Sequence, residues 1–289
     1  MMRVLGVVST KGGVGKTTTA ANLGAFAADA GLRVLLVDLD VQPTLSSYFA
    51  FAEQAAGGIY ELLTAKEPNA ERLISRTTLP NLDLIKSNDD RGQLNTLMLH
   101  APDGRLRLRR LLGILAPCYE LMIVDTQGAR SVLLEAAMLA CDLAVSPVTP
   151  ETLAARELHR GTMQLLRDVD PFRQWGIEPP ALHLLLNRVP AVSSSARLVQ
   201  QALRQMYQHE PGVTVLATDI PAIEAYPRAA ALGRPVHRVE PRKPSGRMAP
   251  AALDTVRALA CELLPEWRTN FEQFSSKSFT TARRSGAHA

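Results

Sequence analysis

The 289-residue sequence predicts a three-layer, doubly wound α/β fold around a mostly parallel sheet, and three observations carry that expectation. Short runs rich in leucine and β-branched residues recur along the chain, and each is followed by a longer segment with helical spacing. Most of the runs are almost entirely apolar, as strands covered on both faces must be. A glycine-rich turn separates the first run from the first helical segment, the place where open α/β sheets bind their ligands.

In order, strands are expected over 3–8, 33–37, 82–85, 121–124, 143–146, 182–186 and 213–216. Helices are expected over 16–30, 105–115, 131–140, 154–166, 196–208 and 251–264, so that strand and helix alternate as βαβ units. No internal repeat and no long linker divides 1–264, which reads as one domain. From Pro265 the chain turns rich in Ser, Thr and Arg, and 265–289 is expected to be a flexible or partly helical tail.

Composition narrows the class. With 46% apolar and 21% charged residues there is material for a core, which excludes disorder along the whole chain. Cys118, Cys141 and Cys261 lie far apart, which argues against a disulfide scaffold or zinc site and for a reducing cytosol. No apolar run approaches the ~18 residues that would span a bilayer. Residues 1–9 lead straight into the glycine turn and read as a strand, not a secretion signal. The formal net charge of +4 is unevenly placed: residues 1–220 hold 21 Lys and Arg against 22 Asp and Glu, and residues 221–289 hold 11 against 6. A basic C-terminal quarter permits an anionic partner, and is equally compatible with an ordinary solvated surface.

The segment from Ser9 to Thr18 carries the chemistry. Gly12, Gly13 and Gly15 leave room for backbone N–H groups to turn inward around phosphate oxygens, and a helix opening at Lys16 adds its positive end. The Lys16 ammonium is placed to reach β and γ phosphates, and the Thr17 hydroxyl to ligate Mg²⁺. Thr10 stands where the strict GxxxxGK[ST] pattern has glycine, so the loop is a variant. Asp38, Asp40 and Asp125 fall at or near the ends of apolar strands, where a carboxylate serves a cation or, alternatively, a turn or helix cap.

Lys11-Gly12-Gly13-Val14-Gly15-Lys16-Thr17-Thr18 resembles the deviant Walker A motif of the ParA/MinD class of P-loop ATPases, with Lys11 at its signature lysine. Val34 to Pro43, Met122 to Thr126, Leu184 to Arg188, Thr218 to Pro221 and 229–236 are similar to that class's later motifs, in the same order. The resemblance implies ATP and Mg²⁺ as cofactors and a homodimer that sandwiches two ATP molecules. Lys11 would reach the partner's phosphates, Lys16 and residues 12–18 would bind the nucleotide, and Asp40 would position the attacking water. Thr17, Asp38 and Asp125 would hold Mg²⁺, with Asn187 and Pro221 near the base. Two departures fall where the γ phosphate would be sensed: Val41 replaces a usual proline, and Thr126-Gln127-Gly128 replaces a proline-containing turn.

Within the class, cluster-carrying relatives need paired cysteines, and MinD-like members end in a basic amphipathic helix. Here the end is broken at Pro265 and lacks an apolar stripe, so no membrane partner is expected. The remaining resemblance is to a small ParA of the Soj type, with too few residues before Lys11 for an N-terminal helix-turn-helix domain. It implies a cytoplasmic, nucleoid-associated partitioning ATPase that binds double-stranded DNA nonspecifically and is reset by a ParB-like activator. Arg197 and Arg204, seven apart on one helix, and Arg228 and Arg234 in the basic quarter are the candidate phosphate contacts. The alternative is a related ATPase that localises a protein assembly without DNA.

Overall fold

The computed structural model describes residues 2–65 and 69–275, and the expected tail beyond 275 lies outside the described residues. Along the chain come β1 (Arg3–Val7), α1 (Lys16–Asp29), β2 (Val34–Asp38), β3 (Phe51–Glu53), α2 (Ile59–Thr64), α3 (Ala70–Leu73), β4 (Ser75–Thr77) and β5 (Leu82–Ile85). Then follow α4 (Leu94–His100), α5 (Gly104–Leu115), β6 (Leu121–Asp125), α6 (Val132–Ala140), β7 (Leu143–Val148), α7 (Thr152–Arg160), α8 (Thr162–Val169) and β8 (Ala181–Val189). The last elements are α9 (Ser194–Tyr207), β9 (Val213–Val215), β10 (Ile220–Pro221), α10 (Ala225–Ala231), α11 (Val236–Val239), α12 (Ala252–Leu263) and α13 (Arg268–Gln273).

The strands form one sheet in the order β10-β8-β7-β1-β6-β2-β5-β4-β3, with β9 also paired to β8. Pairing is parallel from β10 to β5, and β3 and β4 add an antiparallel edge. That edge was not expected, because three-residue strands give too short a period to read. Alternate residues of the central strands face opposite layers. Leu5, Val7, Val34 and Leu36 pack in one core with α1 and α12, whereas Val4, Leu35 and Val37 pack in another with α5 and α6. The expected helix over 154–166 is two helices, since α7 ends at Arg160, Gly161 caps it, and α8 starts at Thr162.

The core also reaches past residue 264. Phe271 of α13 is fully buried and Phe274 nearly so, and both rings pack on Phe26 of α1, at centroid distances of 5.7 and 5.3 Å. Two backbone carbonyls of this segment accept hydrogen bonds from Arg257 of α12. Residues 265–275 are therefore part of the folded body, and α1, covered by both α12 and α13, is buried on nearly every side.

Candidate nucleotide site

The register of the sheet puts the chemistry in one place. Asp38 and Asp125 end β2 and β6 as direct register partners, and Val7 of β1 is the neighbour of Asp125 on its other side. The glycine loop leaves β1 at that same edge and runs into α1. Its last residue before the helix, Gly15, has φ 95°, and a Cβ there would stand 2.2 Å from the Asn187 amide nitrogen. Only glycine meets both conditions, the left-handed backbone and the close approach.

A cavity of about 570 Å³ opens above this edge, lined by Gly12, Gly13, Gly15, Lys16, Thr17, Thr18 and Asp40. The sequence-predicted cradle is thus assembled, and Asp40 faces it. Also in the lining are Gln42, Thr44 and Arg188, which were not among the candidate site residues, and Gln127 and Gly128 of the turn that departs from the class pattern. Gly128 sits flush on the loop, because a Cβ at that position would be 2.6 Å from the Cα of Gly12 and 2.9 Å from the carbonyl carbon of Lys11. The replacement of the usual proline turn by Thr126-Gln127-Gly128 therefore has a geometric counterpart. Thr126 belongs to the same arrangement, donating its hydroxyl to the Val7 carbonyl at 2.8 Å and tying the ends of β6 and β1.

Lys16 is buried, and its ammonium bends back to donate to the Lys11 carbonyl at 3.2 Å. Desolvation lowers its pKa, opposed by the negative charges of Asp125 and Asp40. Asp38 is fully buried and accepts from the Ser46 hydroxyl at 2.6 Å, the Ser46 N–H at 2.8 Å and the Asp40 N–H at 3.2 Å. Burial outweighs those bonds and pushes Asp38 up to about 6. Ser46, in turn, accepts from the Ser87 N–H at 2.8 Å, which fixes the loop after β2 against β5. No sequence spacing pointed to Ser46, since a serine acquires this role only through a tertiary contact.

Asp125 carries the strongest indication of a cation site. Both carboxylate oxygens are buried and neither has a hydrogen-bond partner in good geometry. Burial pushes it up to about 8, against the nearby Thr17 hydroxyl and the Lys16 charge, with Asp38 and Asp40 raising it further. A buried acceptor pair with no donor, beside a hydroxyl and a second buried carboxylate, fits a hydrated Mg²⁺. Among the described residues no group of three or more His, Cys, Asp and Glu is arranged to hold a metal alone, so water and nucleotide oxygens would supply the rest of the shell.

The remaining predicted residues are placed differently. Lys11 does not line the cavity; its ammonium forms a 3.0 Å ion pair with Glu157 of α7. Asn187 is buried, with its amide donating to the Val14 carbonyl at 2.7 Å and its side-chain oxygen accepting from the Arg188 N–H at 2.9 Å. It braces the loop and β8 together. Pro221 lies in a separate cavity of about 330 Å³ with Arg197, Asp219 and Met248. Arg197, Arg204, Arg228 and Arg234 are all exposed; Arg204 and Arg228 donate to the carbonyls of Leu216 and Val239.

A glycine cradle at a helix N-terminus, closed by buried carboxylates on neighbouring strands, is the way P-loop ATPases hold a nucleotide phosphate and its cation. A family model described as an AAA domain matches residues 2–177. The chromosome partitioning protein ParA of Caulobacter vibrioides is 30% identical over 238 residues, covering 81% of this chain and 86% of that protein. Among solved structures, an ATP complex of McdA from Cyanothece superposes with a TM-score of 0.71 at 20% identity, covering 94% of both chains. Cobyrinic acid a,c-diamide synthase from Mycobacterium smegmatis, with an ATP analogue and magnesium bound, gives a TM-score of 0.67 at 30% identity over 87% of this chain and 99% of that one. The chain belongs to the ParA/MinD class of P-loop ATPases, as its loop sequence implied.

Proposed function

We propose that this chain is a DNA-partitioning ATPase that dimerises around ATP, binds duplex DNA without sequence preference and is reset by hydrolysis, which a ParB-like partner stimulates. The observation that carries the reading is the position of Lys11. It stands on the loop beside the cradle yet outside the cavity, in a partly exposed ion pair with Glu157, so its charge is available to a second subunit's phosphates. In that role it neutralises charge on the transferred phosphoryl group, as an arginine finger does. The partitioning function is supported by the Caulobacter relative, aligned over most of its length.

Each residue then has one task. Residues 12–18 present N–H groups and the Lys16 ammonium to the phosphates, and Thr17, Asp38 and Asp125 would hold a hydrated Mg²⁺, whose positive charge would offset the charge on the phosphates. Asp40 orients the attacking water from the cavity wall, held by its own N–H on Asp38 and by the Gln42 N–H on its carboxylate. Asn187 and Pro221 flank the base, and Arg197, Arg204, Arg228 and Arg234 meet DNA phosphates. Among the described residues no helix is long and apolar enough to cross a membrane, and the site of action in this reading is the nucleoid.

An electrophoretic mobility assay on unrelated duplex DNA tests the reading, with the wild type and Lys11→Ala, each with no nucleotide, MgADP or MgATP. A shift is expected only for the wild type with MgATP, while Lys11→Ala still binds nucleotide as a monomer. No shift under any condition would favour the second function, localisation of a protein assembly without DNA.

A further inference from the structure

One surface of the molecule is not used by the ATPase site. Helices α7 and α9 pack side by side and leave a cleft of about 650 Å³ between them. The α9 wall is apolar: Leu198, Ala202 and Met206 recur every four residues along one stripe, and Leu198 and Met206 are 65% and 56% exposed. The α7 wall is cationic and polar, with Arg156, His159 and Arg160 on a single stripe three and four residues apart. Among the described residues neither arginine has an ion-pair partner. The Tyr207 hydroxyl lies 3.3 Å from Nδ1 of His159 and holds that ring in place.

We propose that this cleft is a docking site for an amphipathic helix of a partner protein, apolar on one face and acidic along one edge. Leu198 to Met206 spans about 12 Å of helix, a length that an occupant matches with apolar residues at i, i+3 or i+4, and i+7. The acidic edge follows from the charges on the opposite wall, which lack carboxylates of their own. A DNA backbone finds no use for an exposed leucine and methionine, and a membrane surface engages a convex apolar face more readily than a cleft.

The position of α7 gives docking a consequence. Its Glu157 holds Lys11, and the Thr10 N–H donates to the Thr162 hydroxyl at 3.4 Å just beyond the break at Gly161. The cationic wall and the anchor of the loop lysine therefore belong to one nine-residue helix. A helix bound in the cleft would bias where Lys11 rests, which deepens the proposed activator step and rests on it, whereas docking itself needs no nucleotide.

The probe is a fluorescein-labelled, lactam-stapled peptide of about 15 residues, with leucines at i, i+4 and i+7 and glutamates along one edge. Its twin carries lysines in place of the glutamates. Fluorescence anisotropy on the full-length, nucleotide-free protein should show the acidic peptide binding at least about tenfold more tightly than the basic one. Arg156→Glu with Arg160→Glu should reverse that preference, and Leu198→Gln with Met206→Gln should weaken both peptides by about tenfold. Rescue of the reversed variant by the basic peptide shows that it is folded. Absence of binding, equal binding of the twins, or indifference to charge reversal would overturn the proposal. So would charge reversal that abolishes binding to duplex DNA or to phosphatidylglycerol vesicles while leaving acidic-peptide affinity unchanged. Loss of nucleotide binding in Lys16→Ala tests the ATPase reading separately, and peptide binding to that variant should be intact.

Discussion

At the scale of single residues, the site depends on close backbone approaches as much as on charge. Gly128 illustrates this, since the atoms a Cβ would meet are the Cα and nitrogen of Gly12, at 2.6 and 2.7 Å, and not the movable end of a side chain. Relief would require the phosphate loop itself to shift, and forcing one extra methyl into close packing costs about 1–3 kcal/mol. Gly128→Ala is therefore expected to weaken binding of a fluorescent ATP analogue by about tenfold or more, with the circular dichroism spectrum unchanged. Wild-type affinity in that variant would mean that the loop has room that these distances deny it. The contrast with Asp125 is instructive. Its environment is costly for a carboxylate without a cation, so its burial makes sense as a binding device and not as a contribution to the apo fold.

At the scale of elements, α1 links the site to the far side of the molecule. Its last residue, Asp29, accepts hydrogen bonds at 2.7 Å from Nε2 of His237 and at 2.7 Å from Nε of Arg238, both on α11. Burial alone would raise the pKa of Asp29, but those two donors outweigh it and hold it below the ordinary carboxylate value. His237 is kept neutral by burial, so in this arrangement it donates its Nε2 hydrogen. A depressed carboxylate stabilises the fold above its unfolded pKa, near 3.8, and that contribution disappears as pH falls through the lower folded value. Asp29→Asn should thus cost about 1–3 kcal/mol in urea denaturation near neutral pH, with the difference from wild type shrinking below about pH 4. A difference constant down to pH 2.5 would exclude ionisation of Asp29 as its source. This contact also marks the limit of what the sequence made legible. The parallel strands other than the two-residue β10, and the loop from Gly12 to Thr18, were readable because their residues are contiguous and their patterns are local. The β3–β4 edge, the Gly161 break, the docking of Phe271 and the roles of Ser46, Gly128 and Glu157 were not, because each rests on a partner brought close only by folding.

At the scale of the whole molecule, α9 presents two neighbouring stripes with opposite characters. Arg197 and Arg204 form a charged one and Leu198, Ala202 and Met206 an apolar one, so the proposed DNA surface and the proposed docking cleft share a helix and are separable by mutation. If two chains close around ATP, every arginine on that surface acts twice. Each neutralised phosphate contributes about −0.9 to the slope of log K against log salt. Arg197→Glu should therefore flatten the slope by about two units on any duplex sequence, because both copies change at once. Nucleotide binding should persist, since Arg197 is exposed and is not among the residues lining the phosphate cradle, where the charged part of ATP is held. Arg156→Glu with Arg160→Glu should leave the salt slope as it is, because those side chains belong to the cleft between α7 and α9. Fluorescence titrations at several salt concentrations, with MgATP present throughout, distinguish the outcomes. A slope unchanged by Arg197→Glu but flattened by the Arg156 and Arg160 pair would exchange the two surfaces, putting phosphate on the α7 wall and leaving the cleft without its proposed protein occupant.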